Sequence, residues 1–318
     1  MNVRRLISGT AVAAATALGL GTLSACSSDS SAADGNSGKL DVVASFYPMQ
    51  YLAEQIGGGH VSVTTLTEPG QEPHDLEISA KQTVDLQKAD AVLYLKGLQP
   101  AVDKAVSQSE AKTKIDAATL TSLEKHSGTE HSHEGEEAHS DENASGLDPH
   151  VWLDPVRYAE IADGVSAAFQ KADPANAAEY KKNAGALTAK LNSLNTSFED
   201  GLKNTATKVF FTNHAAFGYL AERYGLTQEA ITGVDPESEP SAARMKQLQQ
   251  EAKADGVTTV FYETLVSDKT AKTLAEDANL RTDVLDPLEG ITKKSRGSDY
   301  LAVMEANLKA LRTALGAK

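Results

Sequence analysis

The 318-residue sequence predicts an α/β protein of two βα-sandwich lobes, each with a parallel sheet, joined by one long rigid helix. In both halves of the chain, short β-rich runs alternate with amphipathic helical patterns, which is typical of βαβ units. Between the halves, residues 173–205 are rich in helix formers and contain no proline after Pro174. A helix of about 30 residues spans roughly 45 Å, which is long enough to cross the back of both lobes.

The N-terminal residues predict an export leader. MNVRR supplies positive charge, an apolar run follows, and LSAC ends on Cys26, the single cysteine. This pattern resembles a bacterial lipoprotein signal, which implies cleavage after residues 1–25 and lipidation of Cys26. We therefore expect an extracytoplasmic protein anchored to the cell membrane through Cys26, with residues 26–39 as a flexible tether. The alternative is a plain secretory peptide with an incidental cysteine.

The first lobe is predicted at residues 40–172. Strands are expected at 40–46, 61–66 and 89–95, and the first of them is followed by a helix that glycine ends. Ser79 and Gln82 form a capping-box pattern at the start of another helix. Asp154 and Pro155 are a plausible cap and first turn for a further one.

The second lobe is predicted at residues 206–318. Strands are expected at 208–211, 257–262 and 282–285. Helices are expected from about His214 to Tyr224, from about Asp268, and from about Asp299 to Leu315. No internal sequence repeat relates the two halves, so we expect lobes that are similar only in architecture.

The charge of the chain argues against one class of partner. The formal net charge is −14, and the basic residues are scattered along the sequence. A nucleic-acid-binding protein concentrates basic residues in a patch, so nucleic acid is not an expected partner. An acidic surface suits cations better than anions.

Three histidines and three carboxylates fall where a cleft between the lobes is expected, and all of them except His150, which precedes a predicted helix, follow predicted strands. Ligands of parallel α/β sheets bind outside the carboxyl ends of the strands, where loops from several strands converge. Three histidines at such positions predict a shared metal site in a cleft between the lobes, although a single strand-end histidine is more often a hydrogen-bonded loop residue. The residues are His74, His150, His214, Glu263, Asp286 and Glu289. For Glu263, a structural role in its loop and a role supporting a metal-binding histidine both remain open.

Five segments resemble, in order, those of the metal-specific solute-binding lipoproteins of ATP-binding-cassette importers, and of their zinc-type branch. They are EPHDLE, DPHVWLDP, TNHAAFGYLAERYGL, FYETLVSDKTAKTLA and VLDPLEG. The resemblance covers nearly all residues from about Leu40 onward. It implies a metal ion in the cleft between the lobes and delivery of that ion to a membrane permease.

The resemblance also implies a ligand set of His74, His150 and His214, completed by a carboxylate or a water molecule. Glu289 is the favoured carboxylate and Asp286 the alternative. Zn²⁺ is then the transported ion, because three imidazoles suit zinc better than manganese, which prefers oxygen ligands. Copper and nickel compete well for such a site, so the ligand types alone do not exclude them.

The segment 125–146 is acidic, nearly free of apolar residues, and therefore unable to fold by burial. It resembles the histidine-rich loop of zinc-type relatives, and its imidazoles predict an auxiliary metal loop that catches ions near the cleft. Its histidines are His126, His131, His133 and His139. The alternative is a surface loop with incidental histidines.

These features together predict a monomeric binding protein without enzymatic activity, which captures Zn²⁺ and passes it to an ATP-binding-cassette permease. A manganese-binding protein or a surface adhesin of the same fold is the alternative. A zinc hydrolase, with Glu263 as general base, is disfavoured because the sequence contains no HExxH segment.

Overall fold

Two four-stranded sheets, each with parallel strand pairings only, form the frames of two lobes in the computed structural model, which describes residues 38–126 and 146–318. The strands of the first lobe are β1 (Leu40–Ala44), β2 (Val61–Thr65), β3 (Ala91–Tyr94) and β4 (Thr113–Asp116). Those of the second are β5 (Val209–Thr212), β6 (Thr227–Ala230), β7 (Thr259–Tyr262) and β8 (Arg281–Val284). The orders β2-β1-β3-β4 and β6-β5-β7-β8 are equivalent, which confirms the predicted pair of parallel-sheet lobes.

Two helices begin at the caps that the sequence predicts. Ser79 Oγ accepts a hydrogen bond from the Gln82 amide while Gln82 Oε1 accepts from the Ser79 amide, which confirms the capping box. Asp154 caps its helix by accepting from the Val156 amide at 2.9 Å. The helices are α1 (Tyr47–Gly57), α2 (Ala80–Lys88), α3 (Pro100–Gln108), α4 (Pro155–Ala172), α5 (Ala177–Leu202), α6 (Gly218–Arg223), α7 (Ala242–Ala254), α8 (Lys269–Ala278) and α9 (Tyr300–Ala314).

Helix α5 is the predicted long helix, and its 26 residues span about 39 Å at the standard rise. It packs on α1 and α4 of the first lobe and on α9 of the second. It begins later than predicted, because Pro174 opens a separate 3-10 turn, Pro174–Asn176. The Asp173 carboxylate does not cap that turn, since it accepts hydrogen bonds from the Asn176 side chain and the Tyr180 hydroxyl instead.

The prediction of a helix from about His214 was wrong, because α6 begins only at Gly218. The chain between β5 and α6 makes hydrogen bonds outward: the Ala215 amide donates to the Gly233 carbonyl, and the His214 carbonyl accepts from Gln228. These bonds take backbone groups that a helix would use internally. His214 therefore lies on a loop.

Four elements, α3, β4, β6 and α7, have no counterpart among the predicted ones. Strand β6 has the sequence TQEA, which carries little of the β-branched and aromatic character that marks a strand. Its place is set by pairing with β5, where Phe210 lies opposite Gln228. Tertiary pairing therefore decides this strand.

One hydrophobic core runs through both lobes and ties them together. Trp152 of the first lobe donates from its indole nitrogen to the Pro287 carbonyl of the second at 2.7 Å. Tyr300 at the start of α9 donates from its hydroxyl to the Trp152 carbonyl and packs its ring on Tyr51 and Tyr158. All five residues are buried. Among the described residues, no helix combines the length and apolar character needed to cross a membrane.

Candidate metal centre

Four side chains from different loops meet between the two lobes. They are His74 in the loop after β2, His150 just before α4, His214 in the loop after β5 and Glu289 in the turn after β8. One donor atom from each lies within 4.8 Å of the others. The structure therefore brings together three predicted histidines and the favoured carboxylate.

The distances match those of a tetrahedral metal site. The Nε2 atoms of His74, His150 and His214 each lie 3.3 Å from Oε1 of Glu289. A tetrahedral zinc ion with bonds of about 2.0–2.1 Å separates neighbouring ligand atoms by about 3.3–3.4 Å. The three imidazole rings have centroids 5.3–6.1 Å apart, so they lie around one point.

The site is buried and its donor atoms are unsatisfied. His150, His214 and Glu289 are at most 1% exposed, whereas the His74 side chain is 12% exposed and marks the side nearest solvent. Nε2 of His150, Nε2 of His214 and Oε2 of Glu289 have no hydrogen-bond partner among the described residues. Buried polar atoms without partners are costly, so their convergence on one point indicates a ligand.

Two of the histidines are oriented by a carboxylate behind the ring. Asp148 Oδ1 accepts from His150 Nδ1 at 2.8 Å, and Glu263 Oε1 accepts from His214 Nδ1 at 2.5 Å. A proton held on Nδ1 leaves the Nε2 lone pair facing the cleft, as a metal ligand requires. Glu263 also accepts from the Asn213 side-chain amide at 3.3 Å, so it bonds both the ring and its own loop.

Asp148 is absent from the predicted site residues. The signal that could have identified it is its place two residues before His150, because carboxylates often hold the second nitrogen of a metal-binding imidazole.

The turn after β8 presents Glu289 and keeps Asp286 away from the histidines. Asp286 is 1% exposed and accepts from the Leu288 amide at 2.9 Å and the Thr264 hydroxyl at 3.3 Å. Burial raises the pKa of Asp286 to about 6. Leu288 adopts a φ of +60°, which is uncommon for a branched residue and costs on the order of 1–3 kcal/mol. Asp286 therefore serves the turn that aims Glu289 into the cleft.

The site holds opposite charges in a dry environment. Burial alone lowers the pKa of His214, but Glu263 and Glu289 outweigh it and the pKa lies well above the usual value. The pKa of His150 is likewise raised, because the neighbouring carboxylates of Asp148 and Glu289 outweigh burial. Burial raises the pKa of Glu289, yet His214 and the neighbouring imidazoles bring it well below the usual range. The buried carboxylate of Glu289 thus favours the protonated forms of His150 and His214.

Glu72 is a further carboxylate near the site that sequence reasoning missed. Burial raises its pKa to about 7, the charge of His74 acts against this, and Glu289 adds to it. Its Oε2 accepts from the Asp75 amide at 3.2 Å, while Oε1 is buried with no hydrogen-bond partner among the described residues. Glu72 thus places a further carboxyl group near the more exposed, His74 side of the site.

The histidine-rich segment is described only at its start. His126 lies against Asp148 and Glu222, at 3.0 Å and 3.1 Å from its two ring nitrogens. The other predicted members, His131, His133 and His139, lie outside the described residues, as does Cys26.

This architecture defines the class of protein. Two parallel-sheet lobes joined by a long helix, with imidazoles and a carboxylate gathered between them, are the features of the metal-specific solute-binding proteins. The chain belongs to the ZnuA family, whose model, "Zinc-uptake complex component A periplasmic", matches residues 42–314.

Individual relatives agree with this assignment. The "Zinc-binding lipoprotein AdcA" of Streptococcus pneumoniae (strain ATCC BAA-255 / R6) is 38% identical over 299 residues, which are 91% of this chain and 58% of that protein. The chain thus spans little more than half of that relative. The "High-affinity zinc uptake system protein ZnuA" of Bacillus subtilis (strain 168) is 35% identical, with 91% of this chain and 92% of that protein covered.

A solved structure agrees as well. The Zn(II)-bound ZnuA-like domain of Streptococcus pneumoniae AdcA superposes with a TM-score of 0.72 at 35% identity. The match covers 87% of this chain and 99% of that one.

Proposed function

We propose that this protein captures Zn²⁺ outside the cytoplasm and delivers it to a membrane ATP-binding-cassette permease. The observation that carries the proposal is the placement of three imidazole nitrogens at 3.3 Å from one buried carboxylate oxygen. Zinc is the cargo, bound by His74, His150, His214 and Glu289. Three nitrogens and one oxygen at tetrahedral spacing favour Zn²⁺ over Mn²⁺, which prefers oxygen-rich sites.

The ligands join two lobes, with boundaries proposed at 40–172 and 206–318 and a linker at 173–205. His74 and His150 belong to the first lobe, whereas His214 and Glu289 belong to the second. Bound zinc therefore links the lobes directly. The stiff α5 helix restricts their relative movement, so a small rotation and loop rearrangement distinguish the two states, and the permease reads the loaded one.

A lipid on Cys26 is the proposed membrane anchor, which agrees with the name of the pneumococcal relative as a lipoprotein. We expect the Cys26→Ala variant to appear in the medium of a producing cell, whereas wild type stays with the membrane fraction. A variant that remains membrane-bound after this change would contradict the anchor.

Metal content and competition titrations test the ligand set. We expect wild type to bind one Zn²⁺ tightly, and His214→Ala or Glu289→Ala to weaken binding more than about 100-fold, since even losing a group behind a ligand costs 10–100-fold. Asp286→Ala should bind much more tightly than Glu289→Ala, because Asp286 acts only through the turn. Exposed Glu305→Gln on α9 is the control. A silent Glu289 change beside a damaging Asp286 change would contradict this assignment.

Zinc affinity should fall as the pH falls. Zinc binds unprotonated imidazole, and the pKa values of His150 and His214 lie above the ordinary 6.5, so zinc displaces more protons from them than from ordinary imidazoles at the same pH. Each displaced proton lowers the apparent affinity up to about tenfold per pH unit below the folded pKa. The fall should therefore begin above pH 6.5. Calorimetry in buffers of different ionisation enthalpy counts the protons released, and an affinity that is flat between pH 6.5 and 8 would contradict this mechanism.

The acidic segment is proposed to catch ions and pass them to the cleft through His131, His133 and His139. Its sites are weaker than the cleft site, since ordering a chain costs conformational entropy for each residue fixed. We expect replacement of residues 127–145 by two glycines to lower the total zinc bound while leaving one tight site. Equal stoichiometry for wild type and this variant would remove the segment from the mechanism.

A further inference from the structure

We propose that Asp148 is the positioning residue of His150 and that His126, held on helix α6 of the second lobe, in turn holds Asp148. The orientation of a first-lobe zinc ligand then depends on contact with the second lobe. This inference rests on the proposed function, because it concerns how one proposed zinc ligand is presented.

The Asp148 carboxylate is shared between two histidines. Oδ1 accepts from the ring Nδ1 of His150 at 2.8 Å and from its backbone amide at 2.9 Å. Oδ2 faces Nδ1 of His126 at 3.0 Å. Asp148 is only 2% exposed, and a buried carboxylate needs such donors to remain ionised. Loss of the His126 contact would leave one of its oxygens without that donor.

His126 packs closely against helix α6. Its Nε2 lies 3.1 Å from Oε2 of Glu222, and its ring meets the Tyr219 ring edge-on with centroids 4.3 Å apart. A Cβ on Gly218 would come within 2.4 Å of the His126 Cβ and 2.8 Å of Asp148 Oδ2. Only glycine at position 218 allows this approach. His126, the first histidine of the acidic segment, is therefore held in place by contacts with α6 and Asp148.

Helix α6 makes two further contacts with the first lobe at the same seam. The Tyr219 hydroxyl accepts from the Glu124 amide and donates to the Asp148 carbonyl, both at 2.8 Å. Arg223 donates to both carboxylate oxygens of Asp154, from Nε to Oδ1 at 3.0 Å and from Nη2 to Oδ2 at 2.6 Å. Because Asp154 caps α4, this ion pair holds α6 close to the His150 turn.

A continuous series of contacts thus runs from Glu222 through His126 and Asp148 to His150. While α6 lies against the first lobe, both oxygens of Asp148 are held and His150 keeps its Nε2 toward the cleft. When α6 moves away, Asp148 loses the hydrogen bond from His126, and the His150 imidazole loses its fixed orientation. Movement between the lobes therefore weakens zinc binding through His150, although none of the contacts in this series joins His150 to α6 directly.

Zinc affinity, zinc dissociation rate and the Co²⁺ absorption spectrum of four variants test the proposal. We expect Asp148→Asn to weaken Zn²⁺ binding by about 10–100-fold. His126→Ala and Glu222→Gln should weaken it roughly threefold to tenfold, as for loss of one hydrogen bond, mainly through faster dissociation. His126→Ala added to Asp148→Asn should change affinity less than about twofold, since both act on one path. All four should alter the Co²⁺ spectrum, which reports ligand geometry.

Matched controls separate positioning from folding. His60→Ala, a histidine in the turn before β2, and the exposed Glu305→Gln should leave affinity and spectrum unchanged. A His126→Ala variant that melts earlier but binds zinc with wild-type affinity and spectrum would overturn the inference. Independent, multiplicative effects of His126→Ala and Asp148→Asn would also overturn it. Wild-type protein that binds no zinc would instead reject the proposed function itself.

If Asp148→Asn does not fold, the partly exposed His126 and Glu222 still decide the matter. The Glu222→Gln change lies on the second lobe and is far less buried than Asp148. Wild-type zinc dissociation in both His126→Ala and Glu222→Gln would overturn the coupling.

Discussion

A single buried carboxylate oxygen, Oε1 of Glu289, faces three imidazole nitrogens at equal distance, and the arrangement of both lobes serves this contact. Four loops from two sheets must deliver their side chains to within a few tenths of an ångström of one point. Parallel sheets suit this task because the carboxyl ends of their strands converge on one edge. Two such edges facing each other surround the point from both sides.

This arrangement lowers the stability of the folded protein in two ways. Unsatisfied polar atoms are buried at the centre, and the turn that aims Glu289 contains Leu288 at positive φ. The surroundings support that turn closely: Trp152 donates to the Pro287 carbonyl and Asn307 bonds the Asp286 backbone on both sides. Backbone strain and unpaired polar atoms within a site, surrounded by groups whose hydrogen bonds are satisfied, are typical of a preorganised binding site.

In each lobe, a carboxylate orients one of the imidazoles. Asp148 in the first lobe and Glu263 in the second each hold the Nδ1 atom of one histidine, and both carboxylates are buried. The two carboxylates differ in the residues that hold them in place. Glu263 is supported by its own lobe through Asn213, whereas Asp148 reaches across the seam through His126 to helix α6. The proposed capture and release of zinc therefore involves more than the ligand atoms, because one ligand is oriented by contacts that cross the boundary between the lobes.

Much of the fold and most of the site could be predicted from the sequence, since both depend on local signals. Alternating β and helical patterns indicated the two lobes, and the capping box and the Asp154-Pro155 pair were read at the residues where the structure has them. His74 and His214 followed predicted strands, His150 preceded a predicted helix, and all three were expected in a common cleft. The start of α6 and the strand β6 could not be predicted, because bonds to distant residues decide them. The same holds for the role of His126, whose partner Glu222 lies 96 residues away in the sequence. Local sequence determines which residues can donate or accept, but only tertiary packing determines which of them meet, because partners more than a hundred residues apart are brought together by the fold alone.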